Sequence, residues 1–140
     1  MSNFKEVLGR IKELMIIKED IEQYRDKFST DYKGTTIIKV NLDMILSRLK
    51  KDSPSFYVDP NTDLEYHKNK INKAVNYFKK NVIEDNPLSV YYPPFLTIYD
   101  DELGVVEGRH RLAAYYHLGF TNVYIEVLES QVELFKPFMV

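Results

Sequence analysis

Apolar residues recur at three- and four-residue spacing near the start of the chain, at Phe4, Val7, Leu8, Ile11, Leu14, Met15, Ile21, Tyr24 and Phe28. This spacing predicts an amphipathic helix over residues 3–28, capped by Ser2 or Asn3. Lys5, Glu6, Lys12, Glu13, Glu19, Asp20 and Lys27 lie opposite, a mixed-sign surface that suits a solvated face. Small and polar residues over 30–34 break the pattern, with Gly34 as the turn. The period then changes. The β-branched run Thr35-Thr36-Ile37-Ile38-Lys39-Val40 predicts a strand. Asn41 follows as the cap of a short helix with Met44, Ile45, Leu46 and Leu49 inward. Prolines with Asp, Asn and Ser make residues 51–63 a loop. A second helix is predicted over 64–81, with Ile71, Ala74, Val75, Phe78 and Val82 inward and Lys68, Lys70, Lys73, Lys79 and Lys80 outward.

Pro87, Pro93 and Pro94 keep the next stretch extended or looped. Residues 95–99 predict a strand, 100–104 a turn, and Val105-Val106 the start of a return strand, a hairpin that feeds directly into a helix over 109–118. That helix has Leu112, Tyr115 and Tyr116 at helical spacing, small Ala113 and Ala114 for close packing, and Gly119 as its stop. Residues 123–127 predict the last strand, and Ser130 the start of a short helix. Interleaved strands and helices define an α/β (α+β) fold, a small mixed sheet flanked by helices. Residues 1–34 form an N-terminal amphipathic helix and linker, and residues 35–140 the domain.

A chain of 140 residues with 44% hydrophobic and 14% aromatic content can build one ordinary core. The absence of cysteine removes disulfides, thiolate nucleophiles and cysteine metal sites, and it fits a cytoplasmic protein. No uninterrupted apolar run marks the first residues as a signal peptide or a membrane span, so no membrane partner is expected. The long apolar stripe of residues 3–28 is expected to pack on the domain or on a second copy, as a homodimer would use it. The net charge of −2 is unevenly spread. Residues 1–34 carry seven basic and seven acidic side chains, residues 35–81 nine and five, and residues 82–140 three and nine. Such a balance disfavours strong non-specific binding to duplex DNA and leaves room for a local basic face.

The richest segment chemically is Val105-Val106-Glu107-Gly108-Arg109-His110-Arg111-Leu112-Ala113-Ala114. It sets a glycine between a strand and a helix and follows it with cationic and ionisable side chains. Backbone N–H groups at a helix start and the helix dipole favour an anion, and glycine lets a ligand approach closely. Arg109 and Arg111 add charge-assisted donors for phosphate oxygens. The bland alternative is a pair of arginines held in an ion-pair network. His110 either contacts phosphate or carries a proton, or is a surface or packing residue. His67 and His117 read as structural. Asp59, Asn61 and Asp63 favour a turn over a cation site. Tyr91, Tyr92, Tyr115 and Tyr116 are either a base-stacking wall or core residues.

The run Glu107-Gly108-Arg109-His110-Arg111-Leu112-Ala113-Ala114, followed by Leu118-Gly119-Phe120 and the strand at 123–127, resembles the central motif of the ParB/sulfiredoxin superfamily. The order of elements from about 35 to 127 agrees with that family's layout. ParB proteins carry Gly-Glu-Arg-Arg there and bind CTP, sulfiredoxin carries Gly-Cys-His-Arg, and a related serine kinase carries a motif like Asp-Gly-His-His-Arg. Arg109 stands where sulfiredoxin has its cysteine and ParB its glutamate, which excludes sulfiredoxin chemistry. The chain stops before the Glu-Asn-x-x-Arg segment and the helix-turn-helix region of partition ParB proteins. The resemblance implies a nucleoside triphosphate, ATP or CTP, held by Gly108, Arg109, His110 and Arg111. Glu107 would serve magnesium or a proton, and Glu107 and His110 would be the catalytic groups. The expected function is nucleotide or phosphate binding, with NTPase or phosphoryl-transfer activity. The alternative from another class is a non-catalytic module that binds DNA or an acidic protein surface, and a third is a nuclease, for which the sequence shows no dedicated metal cluster.

Overall fold

The computed structural model describes residues 34–83 and 93–140. The helix expected over residues 3–28, with its proposed dimer contact, lies outside the described residues, as do Tyr91 and Tyr92. The β-branched run after Gly34 forms β1 (Thr35–Asn41). Asn41 ends the strand and caps α1 (Leu42–Asp52), its side-chain oxygen accepting from the Met44 amide at 3.0 Å. There follow α2 (Glu65–Ile83), β2 (Phe95–Tyr99), β3 (Glu102–Glu107), α3 (Arg109–His117), β4 (Asn122–Leu128) and a 3-10 segment over Glu129–Phe138. The four strands form one mixed sheet in the order β1-β4-β2-β3. β4 runs antiparallel to β1, from Thr35 opposite Leu128 to Asn41 opposite Asn122. It meets β2 in parallel at Phe95 opposite Glu126. The expected α+β class, a small mixed sheet with flanking helices, is what forms.

β4 is buried from Val123 to Val127 because helices cover the inner strands. Glu126, 3% exposed, sits within that run and accepts the Thr35 hydroxyl at 2.6 Å. On the helical side Tyr115 lies between Phe78 and Phe120, with ring centroids at 5.3 and 5.6 Å. Tyr115 therefore belongs to the core and not to a stacking wall. Burial pushes its hydroxyl up to about 12, against the opposing charge of Arg111. Met44, expected inward, is 45% exposed, since Leu42, Ile45, Leu46 and Leu49 complete the buried stripe of α1. A smaller cluster of Val58, Ile71 and Ala113 pins the loop after α1 to α2 and α3.

The hairpin differs from the expected five-residue turn. Asp100 and Asp101 both adopt positive φ, at 50° and 62°, so the reversal takes two residues and the return strand begins at Glu102. Aspartate tolerates this left-handed backbone, and the resulting twist matches that of the paired strands. The hairpin is latched to α1. The Asp52 carboxylate accepts from the Leu103 amide at 2.9 Å and from Arg48 at 2.6 Å, while Arg48 also reaches the Asp101 carbonyl at 2.9 Å. The Leu103 amide, with Arg48 behind it, holds the Asp52 carboxyl below its ordinary range despite the opposing effect of burial. Among the described residues no helix is long and apolar enough to cross a membrane.

β2 and β4 share only the register at Phe95, and beyond it a side chain replaces a strand. The Gln131 amide accepts from the Ile98 amide, donates to the Ile98 carbonyl and accepts the Thr97 hydroxyl, each at 3.0 Å. Gln131→Ala leaves these half-buried groups without their partner and is expected to lower the unfolding free energy by about 1–3 kcal/mol. Urea unfolding of both proteins measures the difference.

Candidate functional site

β3 ends at exposed Glu107, and the chain turns into α3 through Gly108 at φ 97°, ψ 23°. Two constraints demand glycine there. The backbone is left-handed, and a Cβ would lie 2.9 Å from the Cα and Cβ of Pro94. α3 consequently opens without a side-chain cap, and its first turn holds Arg109, His110 and Arg111 with no acidic residue. Cations at the positive end of a helix dipole raise the local potential and disfavour any further positive charge.

Arg109 and His110 turn toward α2 and the loop before it. The Arg109 guanidinium lies over the Phe56 ring, 5.8 Å from its centroid. His110 Nε2 faces His67 Nδ1 at 2.9 Å, so one imidazole donates and the other accepts. Tyr66 meets both rings edge-on, at 5.2 Å from His67 and 6.2 Å from His110, and Lys70 lies over the Tyr66 ring at 5.8 Å. Burial, then the charges of Arg109, His67 and Lys70, push the His110 imidazole down to about 4. It is therefore neutral near pH 7, a proton acceptor or neutral hydrogen-bond donor and not a cation for phosphate.

The other expected site residues are placed as follows. Gly108, Arg109 and His110 are brought together at one turn with His67. Arg111 is half-buried, and its charge acts on the Tyr115 hydroxyl. Glu107 is on the strand side of the turn, opposite Phe95 in the sheet register. Sequence reading missed Phe56, Tyr66, His67 and Lys70 as site residues, with His67 taken as structural. Their only linear signal is that Tyr66, His67 and Lys70 share the first turns of α2, which says nothing about which helix they meet. His117 donates from Nε2 to the Pro60 carbonyl, fixing the loop rather than facing the turn. Asp59 accepts from the Asn61 amide at 2.9 Å, the expected turn. A cavity of about 240 Å³ beside Pro60, Asp63, Lys68 and His117 lies at the far end of α3 from Gly108. Among the described residues no group of three His, Cys, Asp or Glu side chains could hold a metal ion.

Comparison with protein-family models, curated proteins and solved structures finds no match to this chain.

The two glycines with positive φ at element starts separate strain from crowding. Gly34, at φ 73°, has nothing within 4 Å of an added Cβ. Gly34→Ala is expected to cost about 1–2 kcal/mol of left-handed strain, and Gly108→Ala that amount plus about 1–3 kcal/mol of overpacking against Pro94. Urea midpoints of the two variants test the order.

The depressed His110 pKa also fixes a pH dependence. As pH falls below 6.5, the ordinary value, the unfolded chain takes up a proton that the folded chain refuses until about 4. Stability contributed by neutral His110 is thus lost progressively between these values and is untouched above them. An NMR titration of the His110 ring should show its midpoint near 4, and His110→Gln should flatten that part of the stability profile.

Proposed function

We propose that the turn from Glu107 to Arg111 binds the phosphate groups of a nucleotide, in a domain of the ParB/sulfiredoxin type. One observation carries the reading: an uncapped helix start at left-handed Gly108 gathers Arg109, His110 and Arg111, with Lys70 close enough to depress the His110 pKa. This concentration of positive potential lies at one turn of a chain with a net charge of −2. Phosphate oxygens relieve it by accepting from the backbone N–H groups and the arginines. The order strand, helix, helix, hairpin, helix, strand is compatible with the family layout and supports the reading further.

A nucleoside triphosphate, ATP or CTP, fits the donor set. For magnesium the fit is narrower. Glu107 is the carboxylate at the turn and the residue that would hold a magnesium ion. Magnesium there would neutralise phosphate charge. The chain's own part in NTPase or phosphoryl-transfer chemistry would be to orient the phosphates with Arg109 and Arg111 and to accept a proton at Glu107 or His110.

A second reading, a module that binds DNA or another polyanion, is favoured by the exposed lysines of α2, Lys68, Lys70 and Lys73. Thermal-shift and calorimetric titration with a nucleotide panel, with and without magnesium, tests the first reading. Arg109→Ala and Arg111→Ala are each expected to weaken nucleotide binding by about ten- to hundredfold. Equal affinities for both variants and the wild type would remove the phosphate assignment.

A further inference from the structure

The unexplained feature of the site is a pair of histidines on two different helices, meeting nitrogen to nitrogen at 2.9 Å beside the positive charges of Arg109 and Lys70. A purely phosphate-binding turn has no need of it. In the neutral pair one proton lies between His67 Nδ1 and His110 Nε2. Whichever ring donates that proton, the two outer nitrogens differ: one carries a lone pair and the other a proton. If His67 donates, its Nε2 is the base and His110 Nδ1–H the acid. Shifting the bridging proton exchanges the roles. The pair is thus an acceptor and a donor joined by a single hydrogen bond.

The surface leading to the pair is equally specific. Tyr66, Lys70, Lys73 and Tyr77 recur at four, three and four residues, one exposed stripe along α2 with Tyr66 at 61% and Tyr77 at 50% exposure. It extends about 16 Å at the helical rise. Phe56, 58% exposed beneath Arg109, continues the alternation of ring and cation across the site. Exposed rings interleaved with cations suit an unpaired strand, whose bases stack while its phosphates are neutralised.

We infer that this site takes single-stranded RNA and that the His67–His110 pair cleaves it by attack of the RNA's own 2′-hydroxyl. The inference rests on the phosphate-binding reading of the same turn. A paired acceptor and donor supplies both proton transfers of this reaction, and the substrate supplies the nucleophile already positioned next to phosphorus. The O2′ proton passes to His67 Nε2 as the O2′–P bond forms. The bridging proton moves to His110 Nε2, and His110 Nδ1–H protonates O5′ as the P–O5′ bond breaks. The products carry a 2′,3′-cyclic phosphate and a 5′-hydroxyl. Both histidines end neutral in the opposite tautomer, which exchange with water resets. Arg109 and Lys70 stabilise the charge that builds on the phosphoryl oxygens.

The test uses the full chain, a labelled mixed-sequence single-stranded RNA, its 2′-O-methyl counterpart, the matching DNA, and EDTA throughout. The expected result is cleavage of RNA to 2′,3′-cyclic phosphate ends, with the 2′-O-methyl strand bound and uncut. His67→Gln and His110→Gln should each lower the cleavage rate by about 100-fold or more, and for His67→Gln that loss should far exceed any change in binding to the 2′-O-methyl strand. The 2′-O-methyl comparison needs no variant and decides the matter even where a substitution unfolds the domain. RNA bound but uncut, DNA cut as fast as RNA, or cleavage unaltered in both folded variants overturns the inference. If a nucleotide binds and RNA does not, the inference fails while the phosphate reading stands. If neither binds, both fail.

Discussion

The structure turns on the contact between Gly108 and Pro94. At Gly108 the chain passes from the edge strand β3 into α3 with left-handed backbone, and the missing Cβ lets Pro94 approach to a distance no other residue would permit. Pro94 is itself tied to the sheet, because its carbonyl accepts the Glu126 amide of β4 at 2.8 Å. One proline therefore joins β4 to the start of α3. With the backbone fixed there, Arg109 and His110 are free to face α2 and the loop before it, over Phe56 and against His67.

That freedom has an electrostatic cost, which is where fold and chemistry meet. Two arginines and a histidine at the positive end of a helix, with a lysine nearby, form an unfavourable group in isolation. The protein meets this by keeping one member neutral. His110 gives up its charge, through burial first and through its cationic neighbours second, and spends its ring nitrogen on His67. Arg109 spreads its charge over the Phe56 ring. An anion bound at the helix start would lower this potential further. The depressed histidine and the proposed phosphate site are two consequences of one field.

Elements dominated by a single period were legible in the sequence. The β-branched run of β1, the Asn41 cap, the Ile71 to Phe78 face of α2 and the glycine opening of α3 all fall where local pattern places them, and bounds differ by a residue or two. Where pattern failed, long-range contacts had decided. Residues 100–104 were expected to form the turn, yet Asp100 and Asp101 alone make the reversal, and the Asp52 latch holds Leu103 in the return strand. Gln131 substitutes for a strand, which no periodicity announces. At the site, Gly108 and its three followers were visible as a linear motif, but His67 lies 43 residues from His110 and is joined to it only by helix packing.

The packing that makes the histidine pair is set by the smallest side chain at the helix crossing. Ala113 is fully buried against Ile71, about one turn beyond His67 on α2, and against Val58 on the loop that carries Phe56. A larger residue at 113 would separate α2 from α3, and a shift of half an ångström is enough to lengthen a 2.9 Å nitrogen contact beyond a strong hydrogen bond. The same cluster holds Phe56 near Arg109. Three segments far apart in sequence thus converge on one alanine, and the groups that meet above it include the arginine, both imidazoles and the exposed rings. The geometry of the site is in this sense a property of the core: the volume left empty at Ala113 determines how closely the two imidazoles approach at the surface.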